Sequence, residues 1–225
     1  MPDESTTEPT LRDRIRAIKV FPTDLPRFDT DAAPADPLEL LVDWLVEAID
    51  GGVAQPHAMV LATASAAGVP SARTLLLKDV TSDGVWFASL STGLKGHDLE
   101  ENPRAALTLY WREQGRQVRI TGAVTKGPRE VSERDFLSRH PRARAGAIAG
   151  HQSQPLPDDR SEEAAAIAAA SAQIEADPGF VPEAWNAYVV APDLVEFWQA
   201  GPDRDETRLR YTASANGWDS QLIWP

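Results

Sequence analysis

Cationic and amide side chains recur along this chain on segments that read as strands or as the turns between strands. Arg73 and Lys78 stand in SARTLLLKD, Lys95 follows a Ser-Thr-Gly loop, Gln117 lies in GRQVRITG, Gln152 and Ser153 in GHQSQ, and Arg204 and Arg208 follow Trp198. Guanidinium and ammonium groups grip a phosphate, amides meet the edge of a heterocycle, and an indole covers an apolar face. The set suits a phosphorylated heteroaromatic ligand. Lys95 points most directly that way, because a cation at a helix start opposes the helix dipole unless an anion sits there. Arg73 and Lys78 are an odd number of positions apart, so one regular strand would send them to opposite faces.

Other chemistries lack their residues. The chain has no cysteine and four scattered histidines, which leaves no metal-ligand spacing, no thiol nucleophile and no disulfide framework. No Gly-rich phosphate loop, serine nucleophile elbow, HExxH helix or paired-carboxylate motif is present. The formal charge of -12 opposes a general affinity for nucleic acid or anionic membrane. Any anion site must therefore be a local cluster. The start, MPDESTTEPT, is polar and acidic, and no stretch reaches the roughly 20 apolar residues of a membrane span, so a soluble, cytoplasmic protein is expected.

The elements that must position these groups follow from pattern. At 225 residues and 42% hydrophobic content the chain suits one domain with a real core. Residues 1 to 35 hold acids and prolines with a short helical stretch near Leu11 to Val20, and read as an arm, partly disordered. Asp36 can cap a helix with Pro37 in its first turn, Glu39 completing a capping box, and Leu38, Leu41, Val42, Leu45 and Ile49 forming its apolar stripe before Gly51. From Ala58 the period becomes that of strands: AMVLATA, SARTLLLKDV and GVWFASL, with turns at Ala67-Gly68 and Asp83-Gly84, then AALTLYW and RQVRITGAV. A short helix near Lys95 to Glu101 interrupts them. Residues 128 to 139, 143 to 149 and SEEAAAIAAASAQIEA read as helices, and NAYVVAP, LVEFWQA, TRLRYTA and DSQLIWP return to strand. Many short strands with late helices predict a small, mainly β barrel with helices outside it.

In order along the chain, DPLELLVDWLVEAI, AMVLATASAAGVPSARTLLLKD, KGHDLEENPRAAL, YWREQGRQVRITG, HQSQ, VEFWQ and RLRY resemble the pyridoxamine 5'-phosphate oxidase family from about Phe28 to Pro225. The resemblance implies a six-stranded antiparallel split β-barrel of the α+β kind over residues 36 to 225. It also implies a homodimer with flavin mononucleotide (FMN) between the subunits. By resemblance the flavin contacts are Arg73, Thr74, Lys78, Ser89, Lys95, Gln117, Gln152, Ser153, Trp198 and Arg208. A phosphorylated small-molecule substrate would meet Lys78, Arg139 and Arg204, with Arg204 orienting it for hydride transfer to flavin N5 and dioxygen regenerating the flavin.

Departures fall on the substrate side. Where the family carries an Arg-x-His pair, Arg204 and Glu206 stand here, and Asp135 and Ala143 replace a tyrosine and a serine of its phosphate site. Leu94 replaces a cation before Lys95. These changes leave two further readings: a related oxidase of another heteroaromatic, as in phenazine biosynthesis, or a flavin carrier or sensor with little turnover.

Overall fold

The computed structural model describes residues 8–22, 24–156, 160–201 and 205–224. The expected alternation of strands and late helices is present. Helix α1 (Leu11–Arg16) precedes α2 (Pro37–Asp50), then come β1 (Ala58–Ala64), β2 (Pro70–Leu76), β3 (Asp79–Thr81) and β4 (Gly84–Leu90). Helix α3 (Leu94–Glu101), β5 (Arg104–Trp111) and β6 (Arg116–Lys126) follow. Helices α4 (Arg129–Ser138), α5 (Pro141–Ala149) and α6 (Ser161–Ala176) lead to β7 (Trp185–Ala200), β8 (Glu206–Ser214) and β9 (Gly217–Leu222).

All strands join one antiparallel sheet in the order β2-β1-β5-β6-β7-β4-β3, with β8 and β9 continuing from β7. It curls into the split-barrel, α+β architecture. Nine strands are formed among the described residues rather than six, for two reasons. SARTLLLKDV is two strands, because the chain leaves β1 after Leu76 and pairs next with β4 through Asp79↔Trp86. A C-terminal hairpin, β8-β9, extends the sheet beyond β7. Arg73 and Lys78 therefore do not share a strand.

NAYVVAP and LVEFWQA are one 16-residue strand, β7. Its first half pairs with β4 and its second with β8, while β6 runs along its other edge. The β6 register slips at Thr121/Gly122, leaving Asp193 of β7 with no residue opposite it on β6, and a bulge of this kind bends its strand. A Cβ on Gly122 would lie 2.0 Å from the Ala191 carbonyl oxygen, so only glycine permits this crossing.

One core fills the space between α2 and the inner face of the sheet. Asp36 caps α2 by accepting from the Leu38 N–H at 2.8 Å. The buried stripe of α2 is Leu38, Leu41, Trp44 and Ala48, whereas Val42 and Ile49, expected to belong to it, are exposed. A turn of 100° per residue puts Trp44 and Ala48 above Leu41, and the bulk of the indole decides the face. Trp44 meets Phe197 edge-on at 5.1 Å and Phe28 at 4.9 Å. Buried Arg116 lies over the Trp44 ring, reaches Glu47 at 2.6 Å and donates to Gln199 at 2.8 Å, tying α2 to β6 and β7. Before α2, Pro34 accepts from the Tyr211 hydroxyl at 2.8 Å.

A second, smaller cluster of Leu90, Phe136, Ala147 and Trp185 holds α4 and α5 against the start of β7. Arg129 donates to the carbonyls of Val181, Pro182 and Trp185, and the Ser132 hydroxyl accepts from the Ala187 N–H at 2.9 Å. Helix α4 is thereby fixed at the mouth of the sheet. No helix among the described residues is long and apolar enough to cross a membrane.

Candidate functional site

A cavity of about 760 Å³ opens where β2, β4, α3, α5 and α6 meet, a volume in the range of sites for small ligands and cofactors. Its wall includes Thr74, Lys78, Ser89, Lys95, Arg139 and Gln152, six of the residues singled out in the sequence. Arg73 stands behind this wall.

Lys95 is buried at the start of α3 and donates to the Gln152 side-chain carbonyl at 2.7 Å. No carboxylate pairs with it among the described residues. Burial lowers its pKa, and the Arg73 charge lowers it further. Two cations and a helix N-terminus thus converge, an arrangement that an anion relieves. Gly96 lets α3 begin so tightly, since a Cβ there would sit 2.2 Å from the Ser91 carbonyl oxygen.

Arg73 points to the inner face, where its guanidinium donates to the Thr63 hydroxyl at 2.8 Å, to Ser71 Oγ at 2.6 Å and to the Leu61 carbonyl at 3.2 Å. Thr63 in turn donates to Asp98 at 2.6 Å, and both are buried. Desolvation lowers the Arg73 pKa while Asp98 raises it. The Thr63–Asp98 pair fixes this guanidinium, a role without a sequence signal because the two residues lie on separate elements.

On the far side of the cavity Lys78 Nζ is 3.1 Å from Asp135 Oδ1. The other Asp135 oxygen accepts from the Trp185 indole at 3.0 Å. The Arg139 guanidinium lies 4.4 Å from the Trp185 ring centroid, and its buried Nε has no hydrogen-bond partner among the described residues. Trp185 thus organises this side, although no motif in the sequence singled it out.

The remaining residues lie elsewhere on the sheet. Gln117, Trp198 and Arg208 are direct cross-strand neighbours on β6, β7 and β8. The Trp198 indole donates to Glu206 at 3.0 Å, and the buried Arg208 Nε has no partner among the described residues. Thr74, Val60, Thr108, Arg119, Glu196 and Arg210 form the adjoining row across six strands. Alternation puts both rows on one face. At about 4.8 Å per strand, β2 and β8 are roughly 24 Å apart along the sheet. The Gln117 row and the cavity therefore do not meet through neighbouring strands of one chain. Ser153 is exposed beside Gln152 with φ 70, and Arg204 lies outside the described residues.

Comparison with known proteins bears on the sequence and the fold. The family model described as Pyridoxamine 5'-phosphate oxidase matches residues 45–173, and the one described as Pyridoxine 5'-phosphate oxidase C-terminal dimerisation region matches 185–225. A pyridoxine/pyridoxamine 5'-phosphate oxidase of Nocardioides sp. is 41% identical over 88% of this chain and 91% of its own. One of Bordetella petrii is 42% identical over 83% and 88%. Among solved structures, PhzG from Burkholderia lata 383, in complex with tetrahydrophenazine-1-carboxylic acid, superposes with a TM-score of 0.81 at 32% identity over 89% of this chain and 99% of that one. An FMN binding protein from Nostoc punctiforme, related to pyridoxamine 5'-phosphate oxidase, shares the fold with a TM-score of 0.68 at 17% identity, over 84% of this chain and 97% of that one. With sequence and fold in agreement, the chain belongs to the pyridoxamine 5'-phosphate oxidase family.

Proposed function

We propose that the protein is an FMN-dependent oxidase that removes a hydride from a carbon attached to a heteroaromatic ring. The carrying observation is Lys95: a buried ammonium with no carboxylate partner among the described residues, next to Arg73 and a helix start, in a cavity large enough for a cofactor. These groups fit FMN. Lys95 and Arg73 would neutralise its phosphate, and Ser89, Thr74 and Gln152 would bond its polar edge. Held there, FMN would supply a hydride acceptor that dioxygen can reoxidise with release of peroxide.

Gln117, Trp198 and Arg208 contribute in this reading from a second copy, because the sheet separates them from the cavity within one chain. The region described as a dimerisation region, residues 185–225, includes the strands of Trp198 and Arg208. Arg139 and Arg204 would orient the substrate. Glu206, already an acceptor for the Trp198 indole, can take the hydroxyl or amino proton that leaves with the hydride.

The relatives favour pyridoxine or pyridoxamine 5'-phosphate as substrate. A second reading, oxidation of another heteroaromatic, is favoured by the Lys78–Asp135 ion pair and by the likeness to PhzG. The purified protein is expected to be yellow and to release hydrogen peroxide with a substrate of one of these classes. A colourless preparation that FMN cannot reconstitute overturns the proposal. Peroxide release screened across both classes separates the two readings.

A further inference from the structure

The cations around the cavity fall into two groups with different charge balance. Arg73 and Lys95 make no ion pair among the described residues, and the acid behind them, Asp98, is engaged by the Thr63 hydroxyl. Lys78 and Arg139 differ. The Lys78 charge is already met by Asp135 at 3.1 Å, and the second Asp135 oxygen is fixed by the Trp185 indole at 3.0 Å. Lys78, Arg139 and Asp135 by themselves sum to a single positive charge, while Glu162 and Glu163 of α6 also line the cavity, Glu163 being paired with Arg160. The uncommitted group is Arg139, stacked on Trp185 with a buried, unpartnered Nε.

Resting on the oxidase reading above, we infer that Asp135 is a charge selector. It sets the Lys78–Arg139 side of the cavity to take a planar aromatic bearing one carboxylate and to discriminate against a phosphate dianion. A dianion near Lys78 meets the Asp135 carboxylate within a few ångströms, where like charges repel strongly at protein-like dielectric. Displacing Asp135 instead leaves an acid whose side chain is only 12% exposed without its ion pair. A carboxylate avoids both costs, since the planar Arg139 fork can hold it through two parallel N–H bonds. The Trp185 ring beneath Arg139 adds an apolar wall that suits a flat ligand.

The test uses the FMN-loaded protein and a matched pair of probes, 1-naphthoate and 1-naphthyl phosphate, titrated through the flavin absorbance at pH 8. The phosphate is then doubly charged, its second pKa being about 6. Wild-type protein is expected to bind the carboxylate at least about tenfold more tightly. Asp135→Asn keeps an acceptor for the Trp185 indole and should move that ratio toward the phosphate by about tenfold or more. Preference of the wild type for the phosphate overturns the inference, and this reading needs no variant. So does a ratio that the substitution leaves unmoved in a folded, yellow protein. A chain that takes up no FMN overturns the oxidase reading itself, which distinguishes the two failures.

Discussion

Lys95 separates a ligand site from a structural one because its surroundings penalise its charge. A buried ammonium bonded to an amide oxygen costs stability in the ligand-free protein, and a bound phosphate repays that cost. Lys95→Met should therefore leave the flavin-free protein as stable as wild type or more so, while weakening FMN binding. The loss of a charge-assisted bond, about 1.5–3 kcal/mol, corresponds to roughly tenfold to a hundredfold in affinity. The pH dependence has a definite sign. With the folded pKa lowered, the unfolded chain binds more protons between that value and about 10.4, so wild-type stability rises with pH across the window. The advantage of Lys95→Met in the flavin-free state should shrink there. Thermal melts of both flavin-free proteins at pH 7 and 10, with FMN titrations at pH 7, check this; a melting point lowered by several degrees with unchanged FMN affinity would show a purely structural lysine.

The elements place these residues, and their tolerances are tightest where β6 crosses the bend of β7. Gly122→Ala drives a methyl into the Ala191 carbonyl at a point already fixed by pairing on both sides, and should cost about 1–3 kcal/mol, read as a lowered urea midpoint at unchanged slope. No loss of stability would mean that the crossing relaxes freely. Much of this scaffold was legible from periodicity. The α2 cap at Asp36, the helix over residues 161 to 176 and the segments of β1, β4, β5 and β6 all follow from local pattern. What was hidden depends on tertiary pairing. LLLKDV has no breaker at Leu77, so its division between β1 and β4 cannot be seen locally, and NAYVVAPDLVEFWQA hides one bent strand behind its proline. The outward turn of Val42 and Ile49 is of the same kind, because the sheet chose the face that buries Trp44. At the site, residue types named a phosphorylated ligand. The Lys78–Asp135–Trp185 contacts, which set the charge beside it, needed α4 docked on β7.

For the whole molecule, a chain of net charge -12 can hold an anionic cofactor only by concentrating its positive field locally, and in the proposed assembly two copies share the work. The cavity holds Lys95 and Lys78, whereas the Gln117, Trp198 and Arg208 row lies strands away on the same sheet face. A closed two-fold dimer would bring the row of one copy to the cavity of the other, twice over. This has a consequence that no single-chain site shares. Take Lys95→Met, which damages the cavity, and Arg208→Met, which damages the row, each assayed at an FMN concentration too low to load either variant alone. Co-expressed in equal amounts, about half the dimers are mixed, and in each mixed dimer both substitutions fall in one site while the other site is intact. About a quarter of the wild-type flavin content and peroxide release should return. If each chain built its own site, every site would carry one defect or the other and mixing would restore nothing. Isolation of the mixed dimer through two different affinity tags sharpens the comparison, since its flavin content should then be close to one per two chains.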